Sequence, residues 1–133
     1  MRTSSIRGAC LALTATAALG AAAMTGAAAT SQSAKASATR SVTAPAGEKL
    51  RFSATRLKAP AGSVTLKMTN RDDIGHNIAV RGKKLAKPRL GKIVQTGKVS
   101  KVTVNLPAGT YTFYCSVFGH ESSGMRGTLT VAR

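Results

Sequence analysis

From residue 48 onward, apolar and polar side chains alternate with a period of two, the signature of strands that bury one face. Leu50, Phe52 and Ala54 alternate with Lys49, Arg51 and Ser53. Past an Ala59-Pro60-Ala61-Gly62 turn, Val64, Leu66 and Met68 alternate with Thr65, Lys67 and Thr69. His76, Ile78 and Val80 share one parity, and Asn77, Ala79 and Arg81 the other. Val102, Val104 and Leu106 alternate with Thr103 and Asn105 up to the turn Pro107-Ala108-Gly109. Tyr111, Phe113 and Cys115 then face one way and Thr112 and Tyr114 the other, and Thr128 to Val131 form a last strand. No stretch has useful helical periodicity. Short alternating segments punctuated by Gly and Pro predict an all-β domain over residues 47–133, an antiparallel sandwich or barrel. Residues 82–92, with Lys83, Lys84, Lys87, Arg89 and Lys92, read as a basic connection between strands.

The N-terminal part has a different character. Arg2 and Arg7 precede an uncharged Ala-, Leu- and Thr-rich run over residues 8–24, and Ala27-Ala28-Ala29 offers small residues for cleavage. This predicts a secretory signal peptide over residues 1–29 and no stable membrane anchor, the run being weakly hydrophobic for a span. Residues 30–46 are mostly Ser, Ala and Thr and read as a flexible leader. The expected location is therefore extracytoplasmic, secreted or in the cell envelope. Charge and cysteine content sharpen the expectation. With Arg2 and Arg7 removed from the 20 Lys and Arg residues, 18 bases face 4 acids, a net charge of about +14. Cys115 is then the single cysteine, so an internal disulfide is impossible, and a lone thiol in an exported chain has to be buried or bound.

Cys115, His120 and Met125 stand at even five-residue intervals, with glycines before His120 and Met125. The only other histidine lies in Gly75-His76-Asn77. Strand parity puts His76 and Cys115 on inward faces, and the loop after Cys115 can fold over that end to bring in His120 and Met125. Taken singly, each has a plain reading as a core cysteine, a surface or structural histidine, or a core methionine. Together, two imidazoles, a thiolate and a thioether are the donor set of a single type 1 copper ion. With only two histidines and one mature cysteine, neither an oxidase with a second copper centre nor a binuclear copper site can be built. Glu121 is the only acidic residue beside the ligands to offer a hydrolytic zinc site its base. The chain reads as no enzyme.

The residues Ala108-Gly109-Thr110-Tyr111-Thr112-Phe113-Tyr114-Cys115, then Gly119-His120, Gly124-Met125 and Gly127-Thr128-Leu129-Thr130-Val131, resemble the cupredoxin family of plastocyanins, azurins and auracyanins. The resemblance covers roughly residues 45–133. The Cys-x4-His-x4-Met spacing is most similar to auracyanin, and Gly75-His76-Asn77 to azurin. Phe118 and Gly119 depart from the proline that plastocyanins commonly carry before the ligand histidine. The resemblance implies a Greek-key β-sandwich with His76, Cys115 and His120 as equatorial copper ligands and Met125 as the axial one. It also implies a Gly75 carbonyl near copper and an Asn77 that hydrogen-bonds across the ligand loops. The expected function is a monomeric carrier of single electrons between redox partners. The alternatives are an extracytoplasmic copper-delivery protein using the same ligands, or an adhesion module without metal. The basic connection would suit acidic redox partners. Nucleic acid is not expected, since export separates the chain from it and no recognition motif is present. His120 is expected to emerge beside Phe118 through an apolar patch, and Tyr114 to face outward at a second approach to the site.

Overall fold

The computed structural model describes residues 36–47 and 49–133. The expected signal peptide, residues 1–29, lies outside them. Eight strands follow in order: β1 (Ser37–Ala44), β2 (Arg56–Pro60), β3 (Gly62–Asn70), β4 (Ala79–Arg81), β5 (Arg89–Leu90), β6 (Val99–Leu106), β7 (Gly109–Tyr114) and β8 (Arg126–Ala132). They make a three-stranded sheet, β1-β3-β6, and a five-stranded sheet, β2-β8-β7-β4-β5. The all-β reading holds, and there is no helix among the described residues.

The alternation in the sequence becomes the two faces of these sheets. In β6 every second position is buried, so Ser100, Val102, Val104 and Leu106 point inward. Val64, Leu66 and Met68 of β3 join them from the same sheet, and Tyr111, Phe113, Leu129 and Val131 come from the other, all in one buried cluster. Each such side chain contributes about 1.5–3 kcal/mol when fully buried. Tyr111 is buried with its hydroxyl donating to the Pro107 carbonyl at 2.7 Å, so its polar end is satisfied at the turn into β7.

Three expectations need correction. Residues 37–44 of the expected leader are strand β1, paired along eight positions with β3. Its inward residues Val42 and Ala44 are buried, but they are small, so the period of two carries little hydrophobic contrast. Two pairings, β1 with β3 and β2 with β8, are parallel, whereas the others are antiparallel. An alternating pattern is the same read in either direction and holds no information on strand polarity. Residues 49–54 alternate in burial, with Phe52 inside against Phe113 at 5.5 Å between ring centroids, yet they form no strand. Here the Ser53 side chain replaces a ladder partner. Thr43 N–H donates to Ser53 Oγ at 2.9 Å while Ser53 N–H donates to the Thr43 carbonyl at 2.8 Å. Such side-chain bonds compete with regular pairing.

Candidate metal centre

Three chain segments meet at one end of the five-stranded sheet. Cys115 follows the last residue of β7, Met125 precedes the first of β8, and His76 stands three residues before β4. β7 and β8 are paired through Tyr114 and Arg126, so the ligand loop 115–125 is closed at its base by the ladder itself. Cys115 N–H donates to the Met125 carbonyl at 3.0 Å, and Met125 N–H donates to the His120 carbonyl at 3.0 Å. His120 N–H also donates to the Val117 carbonyl at 3.1 Å, so one turn ends at His120 and the next runs from it to Met125. Gly119 and Gly124 sit just before His120 and Met125 with φ of 79° and 111°, the left-handed region where glycine carries no steric penalty. His76 is held by a bridge to Val94, donating from its N–H at 3.2 Å and accepting from Val94 N–H at 2.8 Å.

Three of the expected donors come together. His76 Nδ1 and His120 Nδ1 are 3.1 Å apart, and Cys115 Sγ lies 3.9 Å from the first and 3.6 Å from the second. The centre of that triangle is about 2.1 Å from all three atoms, which is the length of a bond from a first-row metal to imidazole nitrogen. The donors therefore fit one ion of that size without rearrangement. His76 and Cys115 are fully buried, and His120 is 9 % exposed, so one imidazole reaches the surface. Met125 is also fully buried, and its backbone is tied to both Cys115 and His120.

Burial acts on the ionisation of two of the donors, disfavouring the charged form of each. Burial pushes the Cys115 thiol up, partly offset by the backbone N–H groups of Asn77 and Val117. The Asn77 N–H points at the sulfur from 3.4 Å. Burial first, and then the adjoining His76 ring, lower the pKa of His120, while Asp72 acts weakly in the other direction. With both Nδ1 atoms unprotonated, their lone pairs converge at 3.1 Å beside Cys115 Sγ, an arrangement that a cation between them would stabilise.

Asn77 occupies the expected bridging position. Its Nδ2 donates to the Gly91 carbonyl at 2.9 Å and to Ser116 Oγ at 2.8 Å, and its Oδ1 accepts from Ser116 N–H at 2.8 Å. The segment that carries His76 is thereby fastened to the loop that carries Cys115. Gly75 is half-buried against Ile93, whose Cγ2 would stand 3.1 Å from an added Cβ. Phe118 is fully exposed next to Gly119 and His120, as expected of an apolar rim.

Two neighbours differ from expectation. Tyr114 is on the outer face but is only 8 % exposed, because the Arg81 guanidinium lies 4.5 Å above its ring. Arg81 also pairs with Glu121 through two nitrogens, at 2.8 and 2.5 Å, so Glu121 anchors the loop beside His120 and is not a base facing the site. Among the described residues, the acid whose carboxylate contacts a candidate ligand is Asp72. It is fully buried, and its Oδ2 is 3.1 Å from His76 Nε2. Four-residue spacing brings side chains together on a helix, and residues 72–76 are not helical, so the sequence held no signal for this contact.

A family model described as a cupredoxin-like domain matches residues 15–131, and the chain belongs to that family. Among solved structures, auracyanin B is 27 % identical with a TM-score of 0.61, the alignment covering 72 % of this chain and 89 % of that one. Auracyanin A, a blue copper protein of the green thermophilic photosynthetic bacterium Chloroflexus aurantiacus, is 25 % identical with a TM-score of 0.60, covering 72 % and 99 %. An azurin from the obligate methylotroph Methylomonas sp. strain J shares the fold at 20 % identity and a TM-score of 0.59, covering 74 % and 100 %. No curated protein sequence matches the chain at a significant level.

Proposed function

We propose that this protein holds one type 1 copper ion and carries single electrons between redox partners outside the cytoplasm. The observation that carries this reading is the buried triangle of two imidazole Nδ1 atoms and one cysteine Sγ, already at the separations a first-row metal requires. His76, Cys115 and His120 are the equatorial ligands in this reading, with Met125 axial and the Gly75 carbonyl the remaining candidate donor. Copper, when bound, supplies a one-electron couple that thiolate and thioether make accessible from the Cu(I) side and imidazole from both. The protein supplies rigidity. Asn77 and the ladder between β7 and β8 hold the donors in one arrangement, so little has to move when an electron arrives.

His120, next to the exposed Phe118, is the edge through which a partner gains access. The net charge of about +14 left once Arg2 and Arg7 are removed supports acidic partners. Monomeric behaviour and export are part of the same proposal, the latter resting on the N-terminal pattern. The chain's two histidines both stand in the one candidate site, leaving none for a second copper centre, which supports a carrier over an oxidase.

The test is Cu(II) titration of the purified protein. An intense visible thiolate-to-copper charge-transfer band at one equivalent, bleached and restored by rapid reduction and reoxidation, is the expected result. A colourless complex would overturn the type 1 site. A blue complex that is reduced slowly and yields its copper readily to a chelator would favour delivery instead.

A further inference from the structure

Asp72 is the one fully buried acid among the described residues, and the fold takes care to hold it. Its N–H donates to Asn70 Oδ1 at 2.9 Å, its carbonyl accepts from Thr96 Oγ1 at 2.6 Å, and its Oδ1 accepts from Asp73 N–H at 3.0 Å. Asn70 in turn donates from Nδ2 to the carbonyls of Ile74 at 2.7 Å and Val94 at 2.9 Å. Residues 70–76 and the segment around Val94 are thus locked together, and the second carboxylate oxygen, Oδ2, is 3.1 Å from His76 Nε2 at the back of the ring.

We propose that Asp72 is a positioning residue for the metal centre, one that fixes the tautomer of His76 and biases the bound copper toward its oxidised state. This rests on the copper reading above and deepens it. A carboxylate only accepts, so in a neutral His76 ring the 3.1 Å contact assigns the proton to Nε2 and leaves Nδ1 bare. Nδ1 is the nitrogen that faces His120 and Cys115. The ring is therefore set for a metal before any metal arrives, and the hydrogen bond raises its basicity as a ligand.

The second consequence follows from charge. With one thiolate and one carboxylate, a buried site holding Cu(II) is neutral, whereas the same site holding Cu(I) has a net negative charge. Without Asp72 the oxidised site would be positive and the reduced one neutral. Burial disfavours whichever state carries net charge, so the carboxylate shifts the preference toward Cu(II) and lowers the reduction potential. His120 takes its place at the surface, so the two imidazoles are inequivalent: one is fixed from behind and the other faces partners.

The experiment compares the full chain with Asp72→Asn, Asp72→Ala and, as a control, Asp73→Asn, which removes the same charge from an exposed neighbour. Cu(II) and Cu(I) affinities are measured by competition with chelators, and the potential by voltammetry. Asp72→Asn is expected to weaken Cu(II) at least tenfold relative to Cu(I), a rise of about 59 mV for a one-electron couple. Asp73→Asn is expected to change the ratio less than twofold. Imidazole nitrogen chemical shifts of the metal-free wild type are expected to show His76 protonated at Nε2, and Asp72→Ala to populate the other tautomer. Equal weakening of both oxidation states by Asp72→Asn would overturn the charge argument. A wild-type His76 protonated at Nδ1 would overturn the tautomer argument, and this readout stands even where a variant does not fold. A wild type that bound no copper would defeat the electron-carrier reading, while the metal-free tautomer would still decide whether Asp72 orients the ring.

Discussion

Replacing Asn77 with alanine tests whether the two ligand-bearing segments are held by hydrogen bonding and not by packing alone. The side chain is 1 % exposed and makes three hydrogen bonds, one to Gly91 and two to Ser116. Each such bond contributes about 0.5–1.5 kcal/mol net, and the larger loss comes from groups left buried without a partner. Here these are the carbonyl of the buried Gly91 and the N–H of the half-buried Ser116, which follows Cys115 in the ligand loop. The expected destabilisation of the metal-free protein is about 2–4 kcal/mol, or roughly 10–30 °C in Tm for a domain of this size. Urea unfolding with an unchanged m-value gives the number directly. Ser116→Ala, which removes one of the three bonds, is expected to lose only about 1 kcal/mol. A loss below about 0.5 kcal/mol for Asn77→Ala would refute the reasoning, because water would then be replacing the side chain in a site held together by the core.

Further outcomes follow from other contacts. Burial of Val42 on β1 predicts a loss of about 1–3 kcal/mol for Val42→Ala in thermal unfolding; no measurable loss would return residues 37–44 to the role of a loose leader. The Arg81 guanidinium holds the Glu121 carboxyl below its ordinary pKa, so the pair adds stability above the unfolded carboxylate pKa and loses it as pH falls through the lowered one. Because Arg81 and Glu121 are partly exposed, at 42 % and 26 %, the wild type should exceed Glu121→Gln by only about 0.5 kcal/mol at pH 7. That difference should disappear below the ordinary carboxylate range, and its persistence at pH 2 would contradict the pairing. Phe118→Glu is expected to slow electron self-exchange several-fold while leaving the visible spectrum unchanged; an unchanged exchange rate would exclude this surface as the point of approach.

The sandwich and four donors were legible because both depend on local rules. Alternation reports which side of a strand is buried, and it placed Cys115 inward beside Phe113 without knowledge of any partner strand. Tyr114 was assigned the correct face, but facing outward was equated with exposure, and the reach of Arg81 from the neighbouring strand overrode that. The same limit applies to β1, whose small residues are stabilised by a ladder to β3 and not by a hydrophobic pattern of their own.

Residue types and spacing by themselves determined the chemistry available to this chain: one thiolate, two imidazoles and a thioether, with glycines where the loop must turn. Only the tertiary structure decided their geometry, because His76 and His120 are 44 positions apart and meet through strand pairing. It alone put Asp72 behind His76, in a non-helical turn whose shape is set by Asn70 and by contacts with the distant Val94 and Thr96. A sequence pattern records the face on which a side chain lies; the partner it meets there depends on chain segments that pattern does not connect.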